Sequence, residues 1–449
     1  MQITINISNL IAKAPNNTNP FNFALELIYS QQNPTHQSFF TTTLLCAGAN
    51  YLLISLTCLA IMALPWLQLS GAQTSKHWIF SRRYLGNYST PYWVPNTGFI
   101  VAACQLLGSI MFEIYIFLSY RSLKDGRGDT TSRDFPWVEM RWYAPLVGFF
   151  VQAWSTLYIR ASEEYIEGAN RRHLLLHPIF FNTVLASLPT TMLCFSIYFI
   201  TSQTLQSLKL TQTYQVLIQS LKFASDSWDS GHKALDLDTF STLDSNYSNF
   251  LLSTARTIFK TRQTGLFWTT MGIPIVIFYV FGASTLIRKL KKCHQVLTQA
   301  STGSSTNSDI LKMQTKPNLP AQAHIMSSAS QKLKNFYTYL GLHYILMTLT
   351  ISYDVILGLF YFLQSDEDMG NPVNRARVGV LSLSASVLLL ISLLVQLVRV
   401  LLEGRHMERT EGKSATDIPS LNFSEDRKDV ILPDRDRARD DLGIHKGIP

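Results

Sequence analysis

Apolar residues in this chain come in long runs separated by polar, charge-rich connections. Seven windows are nearly free of charge: 44–69, 97–120, 142–158, 177–201, 265–287, 339–363 and 378–402. A helix rises about 1.5 Å per residue, so about 20 apolar residues cross a hydrocarbon core. The pattern predicts an all-α membrane protein, a seven-transmembrane helix bundle over 44–402. The third window is the shortest, and Pro145 and Gln152 interrupt it. Composition agrees, since only 15% of the 449 residues are charged, where about 25% is usual for a soluble protein. Residues 1–43 are mostly polar and lack the basic start and compact apolar block of a cleavable signal. The first membrane helix is therefore expected to act as its own signal.

Lys and Arg near helix ends set the orientation. With the N-terminus outside, the inner segments hold 24 of the 38 basic residues. The densest cluster, "RKLKK" at 288–292, directly follows the fifth run and suits the anionic cytoplasmic leaflet. This predicts an extracellular N-terminal segment (1–43), a long outer loop (202–264), a basic Ser/Thr-rich inner loop (288–338) and a charged, flexible cytosolic tail (403–449). Sequons at Asn6, Asn16 and Asn246 fall outside and are candidate glycosylation sites. The net charge of +8 then belongs to the cytosolic face of a multi-pass protein, with the plasma membrane as the expected location. It is not a nucleic-acid footprint, and no nucleic-acid partner is expected. Within the inner loop, "QASTGSSTNSD" (299–309) reads as a flexible polar linker. Cys293, directly after the basic cluster, is a lipidation candidate.

Two acids fall at membrane depth, Glu113 in the second run and Asp354 in the sixth. Charge is costly there, so each must face the bundle interior, find a partner or bind something. His343, Met347, Thr350, Asp354 and Tyr361 share one face of a 3.6-residue helix, so the sixth helix should turn a polar stripe inward. Gln105, Gln152, Asn182 and Gln396 could supply partners from other helices, and Arg141 is the nearest cation to Glu113. Two readings stand side by side. In one, Asp354, Glu113, Thr350 and Gln152 line an outward-opening ligand pocket. In the other, the same groups are interhelical glue.

Enzyme chemistry finds little support. "HLLLH" (173–177) has the spacing of two metal ligands on one helix face, but no acidic ligand or second paired-His motif accompanies it. Phosphate loops and nucleophile elbows are absent. We therefore expect no catalytic residues, no cofactor and no bound metal.

Seven helices, an outer N-terminus with sequons, a long basic third inner loop and a charged cytosolic tail together resemble a G-protein-coupled receptor. Arg160, in "LYIRAS", lies where such receptors place an Arg at the inner end of helix three. The sequence departs from the rhodopsin-like pattern, since no acid precedes Arg160 and no Tyr follows it. "NPVNR" (371–375) comes before the seventh helix, not within it. The resemblance is to a divergent receptor. It implies an extracellular ligand bound in the outer half of the bundle. It also implies a heterotrimeric G protein met by Arg160, Arg288 and Lys289. A multi-pass transporter or channel, or a non-catalytic scaffold, are the alternative functions.

Overall fold

The computed structural model describes residues 11, 13–15, 18–32, 37–67, 78–85, 88–124, 131–166, 177–228, 237–306, 319–370 and 372–417. The chain forms two units, Met1–Leu401 and Leu402–Pro449. Of the second, only the last stretch of one helix is described. Among the described residues there are eight helices and one β-ribbon. In order these are α1 (Pro20–Gln32), α2 (Gln37–Leu67), β1 (Phe80–Arg83), β2 (Tyr92–Pro95), α3 (Thr97–Lys124), α4 (Thr131–Ile166), α5 (Pro178–Asp226), α6 (Leu237–Thr306), α7 (Leu319–Gly370) and α8 (Pro372–Asp417).

Six helices carry stretches long and apolar enough to cross a membrane: Thr41–Leu64, Thr97–Arg121, Pro178–Asp226, Phe240–Val296, Tyr337–Ser365 and Arg377–Leu402. The chain is a multi-pass helical membrane protein. Its surface carries what a bilayer needs. On α2, Leu45, Leu52, Leu53, Leu56 and Leu59 are about half exposed while Ile54 and Cys58 on the other side are fully buried.

The remaining run, 142–158, is helical too, within α4, but is less apolar than the others. Its position explains this. Every residue from 148 to 156 is buried, and α4 packs against α3, α5 and α6. A helix enclosed by its neighbours needs no oily outer face, so its interior can take Gln152, Ser155 and Thr156. Around it lies the main core, with Phe149, Trp154, Phe181, Tyr279, Tyr344, Met347 and Ile351 among its members.

The most extensively packed pair is α6 with α7. A Cβ added at Gly265 would stand 2.7 Å from the Gly358 carbonyl oxygen and 2.8 Å from the Phe362 nitrogen. The two backbones therefore touch there, as small residues permit between membrane helices.

Two expected loops are largely helical. α5 has 49 residues and α6 has 70, about 74 and 105 Å long against a hydrocarbon core of about 30 Å. The 202–264 segment thus continues both helices as paired arms over 202–226 and 237–264, instead of a long outer loop. Onto these arms α1 packs, with Phe21, Ala24 and Leu25 against Leu217, Leu221, Leu243 and Tyr247. Asn19 reinforces the contact by donating from Nδ2 to the Ser225 carbonyl at 3.0 Å. At the opposite end, α6 runs on to Thr306 and α7 begins at Leu319. The supposed linker 299–309 is therefore helical through Thr306, and 307–318 lie outside the described residues. Extending an existing helix is far cheaper than nucleating one, which lets a Ser/Thr-rich stretch follow α6.

That second end also holds the β-ribbon. Phe80 pairs with Pro95 and Arg83 with Tyr92 in antiparallel register. Asn182 of α5 hooks it in place, donating from Nδ2 to the Pro91 carbonyl at 2.8 Å and accepting from the Trp93 amide at 2.9 Å. Asn182 is thus a clamp for the ribbon and not a partner of the α7 stripe.

Candidate functional site

The α7 stripe does turn inward. His343, Met347 and Thr350 are each less than one-twentieth exposed. His343 is used structurally, since its Nδ1 lies 2.9 Å from Ser392 Oγ and joins α7 to α8. Above it, toward the end where α2, α4 and α8 begin, a small cavity opens between α2, α3, α4, α7 and α8. Thr350 and Asp354 line it, together with Tyr51, Gln105, Arg141 and Ser382.

Arg141 is the centre of this arrangement. Its guanidinium sits 4.1 Å from the centroid of the Phe112 ring and 4.6 Å from that of Trp142, so two aromatic faces hold the cation. Its Nη1 donates to Ser382 Oγ at 3.1 Å, and Ser382 also shares a hydrogen bond with the Tyr51 hydroxyl. The guanidinium and the Asp354 carboxylate interact electrostatically. Gln105 is 1% exposed, and its Nε2 has no hydrogen-bond partner among the described residues. A buried amide donor without a partner is costly and marks a place built to meet an acceptor. On the flank, Asn50 Nδ2 donates to Ser386 Oγ at 2.7 Å, and the Ser55 and Ser109 hydroxyls lie 2.7 Å apart. These bonds fix α2 against α8 and α3.

Size limits what this conformation can hold. The cavity measures about 40 Å³, while one water needs roughly 10–15 Å³ on that measure and drug-sized ligands occupy about 300–1,000 Å³. A few waters or a very small polar species fit without a change of shape.

Asp354 and Thr350 thus line one cavity, while Glu113 and Gln152 are not part of its lining, although Glu113 acts electrostatically on the lining Tyr51. Glu113 was expected to face Arg141. The guanidinium instead lies over Phe112, whose neighbour Glu113 points about 100° further round the helix. The Glu113 Oε1 has no hydrogen-bond partner among the described residues. Gln152 lies deeper in α4, beside the Tyr344 phenol. Gln396 is near Gly98, where an added Cβ would meet its Nε2 at 3.6 Å, and it does not line the cavity. Arg141 was underrated in the sequence because it stands at the edge of the weakest apolar run. The available signal was a lone cation directly followed by Trp.

At the β-ribbon end, Arg288 and Cys293 are exposed, and Lys289 stands beside them on α6. The side chain of Arg160 lies outside the described residues, as do Asn6, Asn16, His173 and all residues after Asp417. His177 caps α5, accepting from the Ile179 amide through Nδ1 at 3.3 Å, with Tyr88 against its ring. Among the described residues no group of three His, Cys, Asp or Glu is placed to hold a metal. Asn246 Nδ2 donates to Ser220 Oγ at 2.8 Å across the arms, a bond that a glycan on that nitrogen would compete with. Comparison with known proteins returns no match to a family model, a curated protein or a solved structure.

Proposed function

We propose that the chain is a seven-helix, receptor-like membrane protein. In this reading its N-terminus is extracellular and α4 is the third span. It senses a small polar extracellular ligand at the Arg141–Asp354 cavity and couples inward to a heterotrimeric G protein. The observation that carries the reading is the cavity itself. Arg141 of α4 and Asp354 of α7 both line it and interact electrostatically, beside an orphaned Gln105 amide, in the half of the bundle assigned to the outside. The small volume makes the present conformation the closed one, and ligand entry requires the helices to part. A ligand that prefers the parted form shifts the equilibrium toward it. Because α6 and α7 are packed backbone to backbone, they would move as a pair and carry the shift to Arg288 and Lys289. No chemistry is needed, and the protein is not proposed to be an enzyme.

Two measurements test this. First, a strong sequon is added to the tail, and glycosylation is read by endoglycosidase shift in cells. A modified tail would place the basic segment outside and end the reading. Second, the chain is co-expressed with a panel of Gα–Gβγ dissociation sensors, and basal signal is read without any identified ligand. We expect at least one Gα class to respond and Arg288→Glu/Lys289→Glu to abolish that response at equal surface abundance. Silence across the panel at normal abundance, with Asp354-dependent solute uptake in liposomes, would establish the transporter alternative instead.

A further inference from the structure

A second cavity lies between the arms that α5 and α6 send toward α1. None of its lining residues belongs to the Arg141 site. It measures about 350 Å³, within the roughly 300–1,000 Å³ typical of small-molecule sites. Lys209 enters it from α5 and Arg256 from α6.

The charged residues of its lining are both cations. The arms, 202–226 and 237–264, carry Lys209, Lys222, Arg256, Lys260 and Arg262 against Asp226, Asp238 and Asp244, and none of these three acids is part of the lining. No acid lines the cavity among the described residues. Glu26 is the only acid on α1, the helix packed on these arms. It is exposed and is not part of the lining. One cation from each wall, with no carboxylate in the lining, gives the space between them a positive potential.

The rest of the lining completes a recognition surface. Gln212 and Asn249 offer exposed amides, and Val216 with Leu252 offers an apolar strip. The walls are held apart at a fixed spacing. Gln206 Nε2 donates to the Ser253 carbonyl at 3.2 Å near one end. Near the other end stands the Asn246–Ser220 bond described above. These bonds fix the spacing of the walls, while the side chains of Lys209, Gln212, Asn249 and Arg256 stay exposed.

We propose that this cavity binds a small phosphate- or sulfate-bearing molecule, with the oxyanion held between Lys209 and Arg256. Arg supplies a planar fork of donors for such a group and Lys a point charge. The amides take the remaining oxygens, and the apolar strip accepts whatever the oxyanion is attached to. The group has two possible sources. One is a soluble anion. The other is the headgroup of an anionic lipid, because Lys209 lies eight residues past the 177–201 run, about 12 Å along the helix.

The test uses the full chain in phosphatidylcholine nanodiscs. Thermal unfolding is followed in chloride, inorganic phosphate and sulfate at matched ionic strength, which removes general screening. A parallel arm replaces part of the lipid with phosphatidylglycerol. Wild-type protein should be stabilised by phosphate or sulfate if the source is soluble, or by phosphatidylglycerol if it is lipid. Lys209→Gln/Arg256→Gln should weaken the effect by about ten-fold or more. The charge-preserving Lys209→Arg/Arg256→Lys should keep most of it. Lys222→Gln/Lys260→Gln, on the same arms but outside the lining, should leave it intact. Both lining cations are exposed, so their removal should not change unfolding in chloride, and elution as a single species confirms folding. The proposal is overturned if no anion or lipid stabilises wild type beyond chloride. Equal stabilisation of the Lys209→Gln/Arg256→Gln variant would overturn it as well.

Discussion

At the scale of single residues, Arg141 and Asp354 are coupled, and their substitutions should show it. Replacing either removes a favourable electrostatic partner from the other, although Arg141 keeps Glu139 beside it. We expect Arg141→Gln and Asp354→Asn each to destabilise the detergent-solubilised protein by about 1–3 kcal/mol. The double variant should lose less than the sum, read by thermal unfolding in a double-mutant cycle. Strict additivity would mean that the two side chains act independently. Tyr92 offers a second test, outside the membrane runs. Burial, followed by the neighbouring Tyr88 and Tyr158 phenols, pushes its phenol up to about 12. The raised value favours the neutral form in the folded state. Its contribution to stability is therefore complete below the usual tyrosine value near 10. It is lost as pH rises from there through about 12. Tyr92→Phe should flatten that alkaline loss, and an unchanged pH profile of unfolding would refute the assignment.

Between elements, the decisive contact is α6 on α7 at Gly265 and Gly358. The atoms that an added Cβ would strike include main-chain groups, which cannot swing aside as a side chain can. Gly265→Ala should therefore cost about 1–3 kcal/mol, and Gly265→Leu should abolish monodisperse protein. Normal yield and stability of Gly265→Leu would show that the helices do not meet there. This scale also shows what the sequence could reveal. The apolar runs marked six membrane helices and the burial of the α7 stripe, because hydropathy and periodicity are local signals. Helical spacing is legible in "TYQVLIQSLKFASDSW" (213–228), but the rest of 202–264 reads as an outer loop because Ser, Thr, Gln and Asn are frequent in it. The helicity of the arms is inherited from the membrane segments they prolong. The ribbon depends on Asn182, which is about ninety positions away along the chain, and no local pattern signals such a hook. Trp268 is another case of a long-range partner without a local signal. It stands near a run boundary, where Trp commonly anchors at headgroups, yet it is buried, with Nε1 donating to Glu139 Oε2 at 2.8 Å. Trp268→Phe should remove that carboxylate's hydrogen bond, leaving the electrostatic contact with Arg141, and lower thermal stability by about 1–3 kcal/mol.

Across the Met1–Leu401 unit, α6 is the longest element and links several features, although it does not line the Arg141 cavity. It bears one wall of the basic cavity, then the Gly265 contact, then the face of Tyr279 in the core, and finally Arg288 and Lys289. Pro274 lies within it, and there the helix lacks one backbone hydrogen bond, so bending is easiest at that point. From Pro274 the helix reaches about 56 Å to Leu237 and about 48 Å to Thr306. It is therefore a lever with a fulcrum inside the membrane. Each degree of bend sweeps either tip by about 1 Å, and a movement too small to disturb the packing at the fulcrum becomes a large displacement at both surfaces.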